Sequence, residues 1–305
     1  MKIFVTGATG FIGGCVAKRL VAAGHQVRGL VRSPISAAYI AGAGIEPVAG
    51  SLDDTEVLRS EIRAADATFH MADPEATGLI DLALAELEHT GKTFIHTSGS
   101  SVVADGAAGE ESPSIYFDAA YPGNVSPIAS RSVRLGNDRR IIEAAEKGIR
   151  SIIICPALTY GWREGPHKES VQLRFIIEEA RRSGTARYIG SGRNRWSNVH
   201  ADDLADLYLL ALERAEPGSF FFGENGEDAF QDITGAVARL LGTPMASWPL
   251  EEARQVWGPR CEYSLASNSR VRGTNARALG WTPHRPSLID ELTHGSYRKG
   301  YAPSA

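Results

Sequence analysis

The chain has 305 residues, of which 43% are hydrophobic and 22% are charged. These are ordinary values for a globular protein and exclude a disordered or low-complexity chain. The net charge of −4 is too close to zero for a protein that binds nucleic acid or membranes electrostatically, so we expect a small-molecule substrate as partner.

The N-terminus and the cysteines indicate a cellular compartment. A strand at the first residues leaves no room for a signal peptide, and no apolar run approaches the ~18 residues that span a bilayer. Three widely spaced cysteines specify neither a disulfide framework nor a zinc site, so no metal is expected. We therefore expect a cytoplasmic protein, with a homodimer as a candidate assembly.

Short apolar strands and helices alternate along the first half of the chain. Strands are predicted at residues 3–5, 27–31, 45–48, 67–71, 93–97 and 151–155. Helices are predicted after residue 13, at residues 36–41, 55–64 and 78–89, and up to a point near residue 148. Because right-handed crossovers join parallel strands, this order predicts an α/β fold with a doubly wound Rossmann sheet of about seven strands.

The regular alternation ends after Pro156. Helices are predicted at residues 171–182, 202–214 and 232–241, an aromatic strand at residues 220–222, and weak periodicity at residues 248–305. We predict a dinucleotide-binding core at residues 1–160, to which residues 198–223 return. A smaller C-terminal substrate lobe is predicted at residues 161–197 and 224–305.

Three glycines separate the first strand from the first helix, at positions 7, 10 and 13. Glycines at this place allow a sharp turn, the approach of a helix N-terminus to a diphosphate, and close packing of helix on sheet. The sequence therefore predicts a dinucleotide site here. Its expected contacts are Gly7, Thr9, Gly10, Phe11 and Ile12.

Arg32 and Ser33 end the second strand, where a site that prefers NAD places an acidic side chain. A guanidinium suits the 2′-phosphate of NADP(H), and Ser33 adds a hydroxyl, so NADP(H) is the predicted cofactor. A solvated surface arginine is the alternative. Ligands lie at the carboxyl ends of parallel strands, so further contacts are expected at later strand ends. These are Ser51, Leu52, Met71, Ala72, Thr97, Pro156 and Leu158.

Six segments carry a family resemblance: residues 6–13, 50–53, 96–101, 155–161, 198–204 and 279–283. In this order they resemble the extended and atypical short-chain dehydrogenase/reductase superfamily, often labelled NAD-dependent epimerase/dehydratase. The resemblance implies a seven-stranded dinucleotide-binding core with a small C-terminal lobe over the nicotinamide. It also implies a catalytic Ser or Thr, a Tyr, and a Lys four residues after the Tyr.

That catalytic pair is absent, because no tyrosine of the chain is followed by lysine four positions later. Counted from Cys155, the Tyr and Lys positions fall near Arg131 and Leu135, and the Ser position falls between Ser98 and Ser100. The missing proton donor is typically worth ~10²–10⁴-fold in rate. The chain thus resembles an atypical member of the superfamily.

Several residues are candidates for the missing function. Ser98, Ser100 and Tyr160 are the predicted catalytic residues, and the weaker candidates are Tyr116, Tyr121, His167 and Lys168. Arg131 and Arg134 could stabilise an oxyanion, although a solvated helix face is the alternative for both. A substrate that is already activated would need less acid assistance.

Residues 190–197 lie beside the substrate pocket in extended relatives, so Arg193 and Arg195 are candidates for recognition of an anionic substrate, with surface charge as the alternative. Three tryptophans are candidate linings of an apolar pocket: Trp162, Trp196 and Trp248. His200, Asp202 and Asp203 sit at a helix start, where carboxylates favour the helix dipole, so they are not expected to bind a metal.

The leading hypothesis is an NADPH-dependent oxidoreductase of the atypical short-chain type that reduces a small organic carbonyl, imine or activated alkene. A nucleotide-sugar epimerase or dehydratase is an alternative, disfavoured because those reactions depend on the absent Tyr and Lys. A non-catalytic NADP(H) sensor that binds partner proteins is a third possibility. Turnover of the cofactor distinguishes the enzymes from the sensor.

Overall fold

A computed structural model describes residues 1–301 of the chain. Residues 302–305, the end of the segment predicted to have weak periodicity, lie outside the described residues. The strands are β1 Lys2–Thr6, β2 Gln26–Val31, β3 Glu46–Ala49, β4 Ala67–His70, β5 Thr93–Thr97, β6 Tyr116–Phe117, β7 Arg150–Pro156, β8 Leu158–Tyr160, β9 Ala186–Ile189, β10 Arg195–His200, β11 Ser219–Gly223, β12 Glu227–Ala229, β13 Met245–Trp248 and β14 Val271–Arg272.

The α-helices lie between these strands and in the C-terminal segment. They are α1 Phe11–Ala22, α2 Pro34–Ala41, α3 Thr55–Ala64, α4 Thr77–Leu87, α5 Ser132–Glu143, α6 Val171–Ser183, α7 Ala201–Arg214, α8 Phe230–Leu241, α9 Leu250–Trp257, α10 Arg260–Ser264, α11 Thr274–Ala278, α12 Leu288–Thr293 and α13 Tyr297–Tyr301. Among residues 1–301, none of them has the length and apolar character needed to cross a membrane.

Seven parallel strands form the central sheet in the order β11-β7-β5-β4-β1-β2-β3. The six strands predicted before residue 156 are β1, β2, β3, β4, β5 and β7, and the predicted aromatic strand is β11 at one edge. The predicted doubly wound α/β fold is therefore confirmed. The sheet order changes direction beside β1, which pairs with β2 on one side and β4 on the other. Ligands of such sheets bind at this switch point.

Helices cover both faces of the sheet, which explains why its strands are almost continuously apolar. Val5 points to the face covered by α1 and α7, whereas its neighbour Phe4 points to the face covered by α3, α4 and α5. Both side chains are fully buried. Burial of such a side chain contributes roughly 1.5–3 kcal/mol.

Apart from the two faces of the sheet, a third apolar cluster forms where α6, α8, α9 and α12 pack around Trp196 and Trp248. The segment after Trp248 consists of short helices rather than irregular chain. Part of it packs on helices of the central sheet, because Trp281 packs with α1 and α7 and its Nε1 donates to the Asp203 carbonyl at 2.8 Å. Helices of five to eight residues are too short to show a periodic pattern.

Candidate active site

The glycine turn between β1 and α1 leaves a backbone cradle. Gly7 has φ +81°, a left-handed conformation that favours glycine. A Cβ on Gly13 would lie 2.1 Å from the Gly7 carbonyl oxygen, so only glycine fits there. No side chain caps the helix at Gly10, and its first turn holds no acidic residue. The free N–H groups and the helix dipole at this point suit an anion.

A groove of about 850 Å³ extends from this cradle along the carboxyl ends of β2, β3 and β4. It is lined by six residues predicted to contact the cofactor: Gly7, Thr9, Arg32, Ser51, Leu52 and Ala72. A cavity of about 560 Å³ adjoins it at Arg32 and includes Ser33. The groove thus brings together residues from four separate strand ends.

Arg32 lies exposed on this groove and pairs with no carboxylate among residues 1–301. Arg28, on the same strand, donates instead to both Glu61 and Glu46. The Ser33 hydroxyl caps α2, where it accepts from the Ser36 N–H at 3.2 Å. The Arg32 guanidinium is therefore the group on this strand that is available to an anionic ligand.

A smaller pocket of about 300 Å³ lies on the other side of the glycine turn. The two cavities adjoin, because Gly7 and Ala72 line the groove while Gly10 and Met71 line the pocket. Seven predicted site residues line the pocket: Gly10, Phe11, Ile12, Met71, Ser98, Ser100 and Pro156. Arg134, Glu169 and Trp196 are among the other residues of its wall.

Three predicted site residues line none of the three cavities described above. The Thr97 hydroxyl hydrogen-bonds to the Tyr208 hydroxyl at 2.7 Å, and Leu158 packs in the apolar cluster around Trp196 and Trp248. Tyr160 is fully buried and its hydroxyl donates to the Pro286 carbonyl at 2.8 Å. Its proton is thus engaged away from the pocket. The structure therefore does not place Tyr160 where a catalytic residue would act.

Ser98 has a partner that the sequence did not indicate. Its Oγ donates to Oδ2 of Asp138 at 2.7 Å, and the Tyr121 hydroxyl donates to the same oxygen. Asp138 is fully buried on α5, and burial raises its pKa to about 6. Its other oxygen lies 3.8 Å from Nε2 of His96, whose pKa burial holds well below the usual value. The helical spacing of Asp138 with Leu135 is the sequence signal that it faces the core.

The two arginines at the start of α5 turn inward rather than into solvent. Arg131 is buried and donates to Glu75 at 2.8 Å. Arg134 donates to the same carboxylate at 3.2 Å and to Ser101 Oγ at 2.8 Å, and it lines the pocket. The alternative of a solvated face is therefore wrong for both. Arg134 brings a positive charge to the pocket wall beside the serines.

The loop between β8 and α6 lies over the glycine turn. The Arg163 guanidinium donates to the Gly10 carbonyl at 2.5 Å and lies 5.6 Å from the centre of the Phe11 ring. Pro166 and His167 of this loop line the groove. His167, a weaker catalytic candidate, therefore lines the groove, and His167, Tyr116 and Lys168 are all absent from the lining of the smaller pocket.

The loop arginines proposed for an anionic substrate are each paired with a carboxylate. Arg193 bonds to Glu110 at 2.5 Å, and Arg195 bonds to Glu227 at 2.7 Å. Of the three candidate tryptophans, all within the described residues 1–301, only Trp196 lines the smaller pocket. The charge of this loop is therefore neutralised within the protein.

His200 caps the start of α7, where its Nδ1 accepts from the Asp202 N–H at 3.1 Å. The ring packs edge-on against Tyr160. Its surroundings match the expected helix start at the edge of the core.

Comparison with known proteins assigns the family. The model of the NAD dependent epimerase/dehydratase family matches residues 3–221. An uncharacterized protein of Schizosaccharomyces pombe is 30% identical over 97% of this chain and 100% of its own. The 4-hydroxy-2-methyl-3-oxo-4-farnesyl-3,4-dihydroquinoline-1-oxide ketoreductase of Stigmatella aurantiaca is 27% identical over 74% of this chain and 69% of its own. A UDP-glucose 4-epimerase of Mycolicibacterium smegmatis is 28% identical over 93% of this chain and 94% of its own.

A solved structure shows the same fold. The dTDP-glucose 4,6-dehydratase of Streptomyces venezuelae, crystallised with NAD, superposes with a TM-score of 0.77 at 20% identity and covers 98% of this chain and 97% of its own. The relatives include both reductases and nucleotide-sugar enzymes. Because the family model matches well over half of the chain, the chain belongs to the NAD-dependent epimerase/dehydratase family.

Proposed function

We propose that the protein is an NADPH-dependent oxidoreductase that reduces a small organic carbonyl, imine or activated alkene. One observation carries the proposal. An unpaired arginine, Arg32, marks one end of a groove whose other end adjoins a small pocket that holds Ser98 and Arg134. The ketoreductase among the relatives supports a reduction.

The residues of the groove fit a dinucleotide with a 2′-phosphate. The N–H groups at the start of α1 would hold the diphosphate, because neither a cap side chain nor an acidic residue competes for them. Arg32 would bind the 2′-phosphate through charge-assisted hydrogen bonds. Ser51 and Leu52 would lie along the adenosine part.

A reduced nicotinamide, when bound, supplies a hydride to the substrate. The chain's own residues must then stabilise the negative charge that develops on the substrate oxygen. Arg134 places a guanidinium in the pocket wall, and Ser98 offers a hydroxyl there. A fixed positive charge at such a site stabilises a developing oxyanion without the reorganisation that solvent molecules need. Phe11 and Trp196 supply apolar walls of that site.

The pocket supports a small substrate better than a nucleotide sugar. Its volume of about 300 Å³ is at the lower end of the roughly 300–1,000 Å³ typical of ligand sites. The diphosphate of a nucleotide sugar would also need cations, and Arg193 and Arg195 line neither the groove nor this pocket. These observations, with the missing Tyr and Lys, disfavour an epimerase.

The test is oxidation of NADPH by the purified protein across a panel of aldehydes, ketones, imines and enones. Turnover of at least one class is expected. A parallel incubation with UDP-glucose tests the epimerase alternative. Tight NADPH binding without turnover of any class would contradict the proposal and favour the sensor.

A further inference from the structure

We propose that Ser98 delivers the proton that completes the reduction and that Asp138 resupplies it. This relay would replace the absent Tyr and Lys pair. The inference rests on the proposed reductase function and names its proton source. Ser98 is the catalytic residue of the relay, since it lines the pocket, and Asp138 acts through it.

The geometry connects the pocket to a buried acid. Ser98 forms part of the pocket wall at the end of β5. Directly behind it, 2.7 Å from its Oγ, lies Oδ2 of Asp138. Asp138 is shielded from solvent, so a proton that leaves it for the pocket passes through Ser98. No other carboxyl among residues 1–301 hydrogen-bonds to a serine that lines the pocket.

Burial of Asp138 favours its protonated form, whereas the hydrogen bonds that Ser98 and Tyr121 donate to Oδ2 favour its carboxylate. No lysine or arginine forms an ion pair with it among the described residues, and its Oδ1 is buried without a hydrogen bond. An ionised carboxylate would be costly there, whereas a neutral acid is tolerated. Burial accordingly raises the pKa of Asp138 to about 6. The acid form is therefore accessible at mildly acidic and near-neutral pH.

The charged and titratable groups around Asp138 come from four elements. Tyr121 precedes α5 and donates to Oδ2, and Ser98 and His96 belong to the end of β5. Cys155 lies on β7, and burial raises its thiol pKa well above the usual value. The hydrogen bonds from Tyr121 and Ser98, and the charge of Arg134 on the same helix, lower the pKa of Asp138 without outweighing its burial. With His96 and Cys155 neutral, Asp138 is the group of this cluster that titrates near neutrality.

The proton transfer balances atoms and charge. A reduced nicotinamide, when bound, would supply the hydride that forms the C–H bond at the carbonyl carbon, which would leave negative charge on oxygen. Once Asp138 is protonated, its Oδ2–H donates to Ser98 Oγ, and the Ser98 O–H is free to turn toward the substrate. The Ser98 Oγ–H bond then breaks as its proton goes to the substrate oxygen, and the Asp138 Oδ2–H bond breaks as its proton goes to Oγ. The products are the alcohol, the oxidised nicotinamide and an Asp138 carboxylate, which takes one proton from solvent before the next turnover.

Two matched variants separate a relay from a structural network. Ser98→Ala and Tyr121→Phe each remove one O–H donor from the same oxygen of Asp138, but Ser98 alone lines the pocket. We expect kcat/KM for the best carbonyl substrate to fall about 100-fold or more in Ser98→Ala. Tyr121→Phe should keep the relay. Loss of a donor to the carboxylate raises the pKa of Asp138, so the activity of Tyr121→Phe should persist to higher pH.

Asp138→Asn preserves shape but cannot transfer a proton. In the wild type, kcat/KM should decline as pH rises through the pKa of Asp138, and in Asp138→Asn it should be about 100-fold lower and lack this decline. Melting temperature and NADPH affinity, measured on all three variants, identify any variant that is merely misfolded.

A measurement without turnover tests the acid directly. Infrared spectroscopy of the full chain should show the carbonyl stretch of a buried protonated carboxylic acid, which disappears as pH rises through about 6 and is absent from Asp138→Asn. Turnover by the wild type with an unchanged pH profile in Asp138→Asn, or an infrared spectrum without this band, would overturn the relay alone. Absence of turnover by the wild type would overturn the proposed reductase function as well.

Discussion

Replacing Arg32 with alanine would remove the cation that we assign to the 2′-phosphate. Arg32 is exposed at the end of β2 and makes no ion pair among the described residues, so its loss should leave the fold intact. NADH lacks the 2′-phosphate and should bind the variant as it binds the wild type. The variant therefore isolates one phosphate group of the cofactor.

The expected size of the effect follows from the position of Arg32. A hydrogen bond that involves a charged group contributes about 1.5–3 kcal/mol. Because the side chain is exposed, solvent screening puts the value in the lower part of this range, at roughly 1.5–2 kcal/mol. At about 1.4 kcal/mol for each factor of ten, the Kd for NADPH should rise about 10–30-fold. The Kd for NADH should change less than about twofold.

Calorimetric titration with each cofactor measures both constants. Arg139→Ala is the matched control, because it removes the same charge from an exposed position of α5 outside the groove. Arg32→Asp should weaken NADPH binding further and improve NADH binding, since a carboxylate repels phosphate and can accept from a ribose hydroxyl. Equal losses for the two cofactors in Arg32→Ala would refute the assignment of the 2′-phosphate.

Two further changes test the cradle and the buried core. Gly13→Ala should weaken NADPH binding at least about tenfold, because its Cβ would meet the Gly7 carbonyl. The control Gly136→Ala has open space around its Cβ and should bind NADPH normally. Equal affinities of the two variants for NADPH would contradict the role of the glycine turn as a cradle. Burial lowers the pKa of His70 to about 4 from the usual 6.5, so the unfolded chain takes up a proton as pH falls through this window. As pH falls from 6.5 to about 4, the free energy of unfolding, measured in urea, should decrease by at most about 3 kcal/mol, and by less in His70→Gln. The same dependence of this free energy on pH in both proteins would contradict the prediction.

The central sheet could be predicted because each of its strands is marked locally. Apolar runs such as residues 151–155 are bounded by helical segments, and the glycines at positions 7, 10 and 13 punctuate the first turn. The same local pattern explains why most of the predicted cofactor contacts line the groove or the smaller pocket, since strand ends in a parallel sheet lie along one edge. Tyr160 departs from this pattern for a physical reason. It ends β8, which pairs with β10 in a separate sheet, and the tyrosine packs in the apolar cluster around Trp196 and Trp248.

Partners that are distant in the sequence gave no local signal. Arg163 reaches Gly10 across 153 positions of sequence, and Ser98 reaches Asp138 across 40. The spacing of Asp138 with Leu135 indicates that Asp138 faces the core, but it does not identify Ser98 as its partner. An arginine in a loop is usually solvated, so its residue type does not predict the contact of Arg163 with Gly10. Only the packing of α5 and of the loop before α6 determines their partners.

The hydrogen bond from Arg163 to Gly10 joins the glycine turn to the loop between β8 and α6. The same loop contains Glu169, which belongs to the wall of the pocket. One guanidinium thus connects the turn beside the groove to the loop that forms part of the neighbouring cavity. Thermodynamic reciprocity then requires that any gain in substrate affinity caused by the cofactor be returned as an equal gain in cofactor affinity caused by the substrate.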